Sequence, residues 1–301
     1  MPEKDRHGLF GKRIGVFGKG GSGKSTLTAL LALKLSQERY RVCVLDADST
    51  NVGLADALGM ESPPRTLLDY YGGMVFSGGS VTCPVDDPTP LPDAEIRLEE
   101  LPSDYYTQND SGVTYLAAGK IGNLGPGAGC DGPVSKIARD LVIHTLPLDP
   151  VTLIDFKAGF EDSARGALTG LDWALMVVDP TSASLQMAAN MREMVERIKA
   201  DQLPATAHLE DQGMVALANK IFTEARIQEI FFVLNRVKDS EIESYLREKL
   251  AEKGIEPAAV IEEHPSIPIA WLKEEPIATE QALKEVENIM DALEEAADGR
   301  S

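Results

Sequence analysis

The chain has few cysteines and an excess of acidic over basic side chains. Its three cysteines, Cys43, Cys83 and Cys130, are odd in number and widely spaced among 301 residues. That pattern argues against a disulfide framework and favours a reduced compartment. Lys plus Arg number 29 against 48 Asp plus Glu, a formal charge of −19. Because so acidic a surface repels phosphates and anionic lipid, we expect neither a nucleic acid nor a membrane as partner.

Segments typical of membrane insertion or export are also missing from the sequence. No apolar run approaches the ~18 residues that span a bilayer, and residues 1–10 mix charges without the apolar centre of a signal peptide. We therefore expect a cytoplasmic protein. Its hydrophobic content of 43% is ample for a core, and we predict a single domain over residues 1–301.

The strongest positive signal is a glycine-rich loop between an apolar run, residues 13–17, and a helical pattern, residues 27–35. The loop consists of Gly18, Lys19, Gly20, Gly21, Ser22, Gly23, Lys24, Ser25 and Thr26. Glycines let backbone N–H groups turn toward phosphates, and a helix N-terminus adds unpaired donors and partial positive charge. The pattern predicts a nucleotide site in which Lys24 contacts the β- and γ-phosphates and the Ser25 hydroxyl ligates Mg²⁺.

Aspartates follow two other apolar runs of the chain. Asp46 and Asp48 end one run, and Asp155 ends another. Since open parallel sheets bind ligands at the carboxyl ends of their strands, we expect these side chains beside the glycine loop. Asp48 can orient a water for in-line attack on the γ-phosphate, Asp46 can hold Mg²⁺ through its water shell, and Asp155 is the expected Mg²⁺-associated carboxylate. Gly159 would let a backbone N–H approach the γ-phosphate.

Strand and helix patterns alternate through most of the chain. Strands are expected at 41–45, 112–116, 151–155, 173–178 and 231–234, and helices at 134–141, 183–198, 212–227, 241–253 and 283–293. The alternation predicts an α/β fold with a single doubly wound, mostly parallel sheet flanked by helices. Residues 61–110 interrupt it with many prolines, two Gly-Gly pairs and acidic clusters. This inserted irregular segment has short elements at most, for example near 66–71, and is either a lid or partner surface or a disordered stretch.

Each cysteine has its own expected role. Cys43 lies inside an apolar run and is expected to be a core residue. Cys83, within the insertion, is either simply an exposed thiol or a metal ligand that joins Cys130. Cys130 ends a glycine-rich loop and precedes a helical pattern, and a helix start favours thiolate, hence metal ligation or reactivity. The alternative is an incidental cysteine in a glycine loop.

The form Lys-Gly-Gly-x-Gly-Lys-Ser resembles the deviant Walker A loop of a group of dimerising, SIMIBI-like P-loop ATPases. That group includes the nitrogenase iron protein, the Min and Par positioning ATPases, and the nickel-insertion ATPases of carbon monoxide dehydrogenase. The resemblance implies that Lys19 reaches the partner subunit's nucleotide in a homodimer formed on ATP binding; a solvated loop lysine is the alternative. It also makes Asp48 the water-positioning aspartate, assigns Asn235 and Arg236 to the nucleotide base, and makes residues 261–277 a closing loop around that base.

Residues 155–185 look most like the nickel-insertion (CooC-type) ATPases. The resemblance therefore implies a protein that binds and hydrolyses ATP with Mg²⁺ and serves metallocentre assembly or metal delivery to a client metalloenzyme. Cys130 resembles the first cysteine of that subgroup's Cys-x-Cys loop, but Gly132 stands at the second position. A transition metal (Ni or Zn) or an iron–sulfur cluster at the dimer interface is the further cofactor that the resemblance suggests.

Two other functions remain open from the sequence. One is an ATP-dependent electron donor with a dimer-bridging cluster, like the nitrogenase iron protein. For that role only Cys130 aligns, so a dimer would supply two aligned thiolates rather than four. The other is a Par/Min-type positioning ATPase, which the acidic charge and the lack of a basic or amphipathic anchor disfavour.

Overall fold

Strands and helices alternate along the computed structural model, which describes residues 7–120, 130–277 and 279–299. The strands are β1 (Arg13–Gly18), β2 (Val42–Ala47), β3 (Glu95–Arg97), β4 (Thr107–Gln108), β5 (Thr114–Ala117), β6 (Val142–His144), β7 (Val151–Phe156), β8 (Trp173–Val178), β9 (Glu229–Val237) and β10 (Pro257–Glu262). The helices are α1 (Lys24–Gln37), α2 (Leu54–Ala57), α3 (Leu67–Tyr70), α4 (Gly132–Asp140), α5 (Glu161–Ala164), α6 (Ser182–Lys199), α7 (Gln212–Thr223), α8 (Ser240–Ala251), α9 (Ser266–Lys273) and α10 (Glu280–Ala297).

Eight of the strands form one sheet in the order β10-β9-β8-β1-β7-β2-β5-β4. Every pairing is parallel except that of β4 with β5, and β3 pairs with β6 in a separate two-stranded parallel ladder. This confirms the expected mostly parallel sheet. Because β1, β7 and β2 are neighbours, the segments that follow them emerge side by side at one edge of the sheet.

Both faces of the sheet are covered by helices, as the continuous apolar runs of its strands require. Along β8, Trp173, Leu175 and Val177 join one apolar cluster with side chains of α1 and α10. The alternate residues of the same strand join a second cluster with side chains of α4, α6 and α8. On α10, one face is apolar: Val286, Ile289, Met290 and Leu293 are fully buried, each burial contributing about 1.5–3 kcal/mol.

The inserted segment, residues 61–110, holds α3, β3, β4 and short 3-10 turns. Its apolar side chains pack into the cluster on the α4 side of the sheet; those that are buried include Met74, Val81, Leu91, Ile96, Leu98 and Leu101. Strand β3 places Ile96 opposite Ile143 of β6. The insertion thus packs on the face of the sheet that is covered by α4, α6 and α8.

Several sequence expectations need correction. Residues 261–277 are not a plain loop, because they contain the end of β10 and all of α9. Pro268 lies in the first turn of α9. Backbone N–H groups there have no partner within the helix, so the missing N–H of proline costs no helical hydrogen bond. Cys83 is buried rather than exposed, whereas Cys43 is a buried core residue as expected. No helix in the described parts of the chain combines the length and apolarity needed to cross a membrane.

A stacked aromatic pair lies directly beneath the expected nucleotide site, and we predict that its two members are energetically coupled. The rings of Phe17 on β1 and Phe156 on β7 are stacked, with centroids 4.5 Å apart and planes nearly parallel, at 9°. Phe17→Leu and Phe156→Leu should each destabilise the protein, and a double-mutant cycle by urea denaturation should give a coupling of about 0.5–1.5 kcal/mol. Combining Phe17→Leu with Ile289→Val, on the opposite face of the sheet, should be additive within about 0.5 kcal/mol. Equal additivity in both cycles would contradict the coupling.

Candidate nucleotide site

The glycine loop joins the end of β1 directly to the first residue of α1. Gly21 and Gly23 have φ of +79° and +97°, a region that side chains with a Cβ rarely adopt. A Cβ on Gly23 would also lie 2.1 Å from Asn235 Nδ2. Helix α1 begins at Lys24, and no described side chain caps it. Its first backbone N–H groups are therefore available to an anionic ligand, as the sequence pattern predicts.

Asn235 supports the loop from the neighbouring strand end. Its amide Nδ2 donates a 2.7 Å hydrogen bond to the Ser22 carbonyl, and the residue is buried. In this structure the amide nitrogen is therefore engaged with the loop, and contact with an adenine base stays a prediction. Arg236, the next residue, is exposed, has φ of +59° and lines the cleft above the loop.

The strand order brings the predicted carboxylates to the loop. Asp46 of β2 and Asp155 of β7 are register partners in the sheet. The Ser25 hydroxyl donates a 2.6 Å hydrogen bond to Asp155 Oδ2 and accepts a 2.8 Å bond from Asn51 Nδ2. The structure thus brings together Ser25 and Asp155, two of the residues predicted to associate with Mg²⁺.

The electrostatics of this pair favour a bound cation. The pKa of Asp155 is raised to about 7, mainly by burial and also by the nearby charge of Asp46, while the Ser25 hydroxyl and Lys24 oppose that rise. Burial likewise raises the pKa of Asp46, against the effect of Lys120. Two buried carboxylates therefore share a region with few neutralising charges. Hard oxygen donors at Ser25 and Asp155 are the ligands that Mg²⁺ prefers, so the residues present fit that ion.

Lys120 and Tyr115 anchor Asp46 and were missed by the sequence reasoning. Lys120 Nζ and the Tyr115 hydroxyl each donate a 2.6 Å hydrogen bond to Asp46 Oδ2. Lys120 also donates to the carbonyls of Asp48, at 2.6 Å, and of Asn51. It thus ties the loop after β2 to the end of β5. No local motif marks this lysine, because only the pairing of β2 with β5 brings it there.

Asp48 shapes the loop in which it lies. Its Oδ1 accepts hydrogen bonds from Thr50 N at 3.0 Å, Thr50 Oγ1 at 2.7 Å and Asn51 N at 3.3 Å. All three bonds use the same carboxylate oxygen. The side chain also lines the cleft together with Lys24 and Ser25, and its role in orienting a water stays a prediction.

The cleft above the loop contains about 980 Å³ of empty space, part of it open to solvent. Its lining residues are Gly20, Gly21, Gly23, Lys24, Ser25, Thr26, Asp48, Asn51, Ala158, Arg236, Ile267, Pro268 and Trp271. Trp271 of α9 donates from Nε1 to Thr26 Oγ1 at 3.0 Å. Helix α9 thus gives the cleft an apolar wall suited to a planar base. The sequence indicated the segment but not this tryptophan.

Gly159 and Lys19 were both predicted to contact a phosphate, and both make polar contacts within the chain in this structure. Gly159 has φ of +108°, and its N–H donates to the Gly18 carbonyl at 3.3 Å. Lys19 lies 3.4 Å from Asp179 Oδ2 and donates to the Gly20 carbonyl at 3.1 Å. For either group to contact a phosphate, these bonds would have to open.

The glycine-rich stretch before Cys130 lies outside the described residues, since 121–129 are not described. Cys130 itself is half-buried, and Asp131 beside it accepts hydrogen bonds from Ser49 Oγ and Lys157 Nζ. Burial alone would raise the pKa of Asp131, but these bonds lower it. Among the residues described, no three His, Cys, Asp or Glu side chains form a metal-binding group. Cys130 is therefore not part of a complete metal site within that portion of one chain.

Known proteins resemble this chain in sequence and fold. It is 31% identical over 188 residues, 62% of this chain and 74% of the other, to an uncharacterised ATP-binding protein of Methanocaldococcus jannaschii. It is 32% identical over 180 residues, 60% of this chain and 67% of the other, to the carbon monoxide dehydrogenase accessory protein CooC of Rhodospirillum rubrum. The crystal structure of the cell division ATPase MinD of Pyrococcus furiosus matches with a TM-score of 0.56 at 22% identity, covering 94% of this chain and 99% of that one.

The family assignment depends on the extent of the sequence match. The profile of the CobQ/CobB/MinD/ParA nucleotide-binding domain matches residues 16–277. That range includes the phosphate loop, both aspartate-bearing strand ends and the wall of the cleft formed by α9. The chain therefore belongs to the CobQ/CobB/MinD/ParA family of nucleotide-binding proteins.

Proposed function

We propose that this protein binds and hydrolyses Mg·ATP and uses the reaction as a dimeric switch in metallocentre assembly or metal delivery. The observation that carries the nucleotide part is the bond between Ser25 and Asp155, next to the uncapped start of α1. This bond places the Ser25 hydroxyl and the Asp155 carboxylate, two oxygen groups suited to Mg²⁺, together at the end of the phosphate loop.

Each residue of the site has a separate task in hydrolysis. The backbone N–H groups of the loop and Lys24 bind the β- and γ-phosphates and stabilise their charge. Ser25 and Asp155 would hold Mg²⁺, which neutralises phosphate charge as the leaving group departs. Asp48 orients the attacking water in line with the γ-phosphate. Ile267 and Trp271 shield the base from solvent along the wall of the cleft.

The metal-delivery part has separate support. The sequence is similar to an accessory protein of carbon monoxide dehydrogenase, and a half-buried cysteine precedes α4. A client metalloenzyme is the partner that this proposal needs, and a reduced cytoplasm is the compartment that suits free thiols. The proposal is tested by measuring ATP turnover, metal content and absorption of the anaerobically purified protein. A bound iron–sulfur chromophore would favour the electron-donor alternative. Mg²⁺-dependent turnover by a protein that holds no transition metal and does not respond to one would favour a positioning ATPase.

Lys24 and Asp48 should affect binding and turnover differently. Lys24→Ala should weaken ATP binding by about 100-fold or more, because a buried cation that faces the phosphates is lost. Asp48→Asn keeps an oxygen for the Thr50 and Asn51 bonds, so ATP should still bind, while turnover falls about 100-fold. Calorimetry and phosphate release give the two quantities, with Asp110→Asn on the exposed surface as control. Parallel loss of binding and turnover in Asp48→Asn would remove that aspartate from its proposed role.

The pKa of Asp155 predicts a pH dependence of Mg·ADP binding. Mg²⁺ needs the ionised carboxylate, so its affinity should rise about tenfold between about pH 6 and about pH 8 as Asp155 loses its proton. Asp46, Asp48 and Lys24 are the charged groups that act on this carboxyl. Calorimetry at several pH values on wild type and Asp155→Asn isolates the contribution, because ADP's own titration is common to both. Identical pH profiles for the two proteins would contradict it.

The same shift affects folding in the absence of ligand. The pKa of Asp155 rises from 3.8 to about 7 on folding, so folding disfavours its ionised form. The stability associated with this group is therefore fully present below about pH 4 and is lost as the pH rises through about 7. In Asp155→Asn the unfolding free energy should lose this component, which urea denaturation at several pH values can measure.

Lys19 tests the dimer. If it acts on the partner's phosphates, Lys19→Ala should leave ATP binding to the monomer within about threefold of wild type while turnover falls about 100-fold. Lys284→Ala, an exposed lysine on α10 paired with Glu280, controls for loss of charge. Mass in solution should increase with a non-hydrolysed ATP analogue but not with ADP. A monomer in both states at high protein concentration would rule out the dimeric switch.

A further inference from the structure

The structure brings Cys83 of the insertion against the residue that begins α4. A Cβ placed on Gly132 would lie 2.5 Å from Cys83 Sγ and 2.6 Å from Cys83 Cβ. No side chain fits at position 132 while Cys83 stays where it is, and the thiol of Cys83 fills that space. Cys83 is 8% exposed, so the insertion delivers it there as a packed residue rather than as a surface thiol.

Cys130 contacts the same glycine. The backbone N–H of Gly132 donates to Cys130 Sγ at 3.3 Å. Because both sulfurs lie next to one residue, they are no more than about 8 Å apart, given the bond lengths within that residue. Two thiols that are distant in sequence thus flank one glycine at a helix start.

Backbone amides are directed at both sulfurs. Burial raises the pKa of the Cys83 thiol, and the backbone amides of Val85 and Asp86 oppose that rise. Cys130 Sγ accepts a hydrogen bond from the Gly132 N–H at 3.3 Å. Such N–H groups stabilise negative charge on sulfur and orient thiolates that bind metals. A cysteine that serves only as a small apolar residue needs no such donors. These donors therefore favour a ligand role for the two thiols independently of how close the thiols lie to each other.

The chemistry of two thiols selects the class of ligand. Thiolates prefer soft or borderline cations such as Zn²⁺ over Mg²⁺. A disulfide would instead require an oxidant, which neither the site nor ATP hydrolysis supplies. Two thiolates fill only part of a tetrahedral shell, so the remaining positions stay open to water or to ligands from another molecule. A partly open shell suits a metal that is passed on.

We infer that Cys83 and Cys130 together form a two-thiolate site for a borderline divalent cation, with Gly132 as the residue that lets them meet. The identity of the cation as cargo rests on the proposed metal-delivery function; the pairing of the two sulfurs does not. Deprotonation of both thiols accompanies binding, so two protons are released to solvent for each cation bound.

Cobalt titration of the intact, reduced protein tests the pairing. Co²⁺ bound by thiolates gives a sulfur-to-metal charge-transfer absorption, and Zn²⁺ should displace it. Wild type should show the band, and Cys83→Ser and Cys130→Ser should each weaken Co²⁺ binding by at least about 100-fold, since loss of a direct ligand costs at least as much as loss of an outer-shell partner. Cys43→Ser, which removes a buried core thiol on β2, should bind Co²⁺ like wild type.

Gly132→Ala provides a second test that keeps every thiol. Its Cβ would displace the Cys83 sulfur, so the charge-transfer band should weaken although all three cysteines remain; circular dichroism and ATP binding show whether the variant is folded. The pairing is overturned if wild type gives no thiolate band, or if Cys83→Ser matches wild type in affinity and spectrum. ATP turnover of the same wild-type sample separates the two proposals: absent turnover with an intact band refutes the ATPase and leaves the thiolate pair.

Discussion

Two carboxylates buried side by side are the constraint on which the rest of the site depends. Asp46 and Asp155 are fully buried register partners on β2 and β7, and ionising both without a nearby cation is unfavourable. Lys120 compensates Asp46, while Ser25 donates to Asp155. A cation bound at this edge of the sheet would offset the charge of both carboxylates. The buried charge of Asp155 lowers the stability of the ligand-free protein, and the same charge raises its affinity for a cation.

The sequence predicted the parts of the site that depend on neighbouring residues. The phosphate loop lies between a strand and a helix at the expected places, Asp46 and Asp155 lie at the ends of β2 and β7, and Asp48 follows β2. These signals are local, because a glycine loop or a strand end is written in a few consecutive residues. Lys120, Trp271 and the bond from Asn235 to the loop depend instead on which strands and helices become neighbours, and no short motif encodes that order.

Cys83 shows the same limit in a different way. In the Cys-x-Cys loop that this segment resembles, a second thiol follows two residues after the first. Gly132 stands at that position here, so only Cys130 lies at the helix start. In the fold, the insertion places Cys83 at the space that the glycine leaves empty. The expectation of an exposed thiol was wrong because prolines and acidic clusters indicated an irregular segment, whereas its scattered apolar residues bury it against α4.

Asp131 gives the thiolate pair and the nucleotide site a common structural element. It lies between Cys130 and Gly132 in sequence, and its carboxylate binds Ser49, next to Asp48, and Lys157, two residues after Asp155. A shift of either loop toward a phosphate must stretch or move these bonds, and movement of the start of α4 must do the same. Any free energy that nucleotide binding transfers to the thiols through Asp131 acts equally in the reverse direction. If nucleotide binding moves either loop, occupancy of the cysteines and affinity for nucleotide would be linked by the same carboxylate.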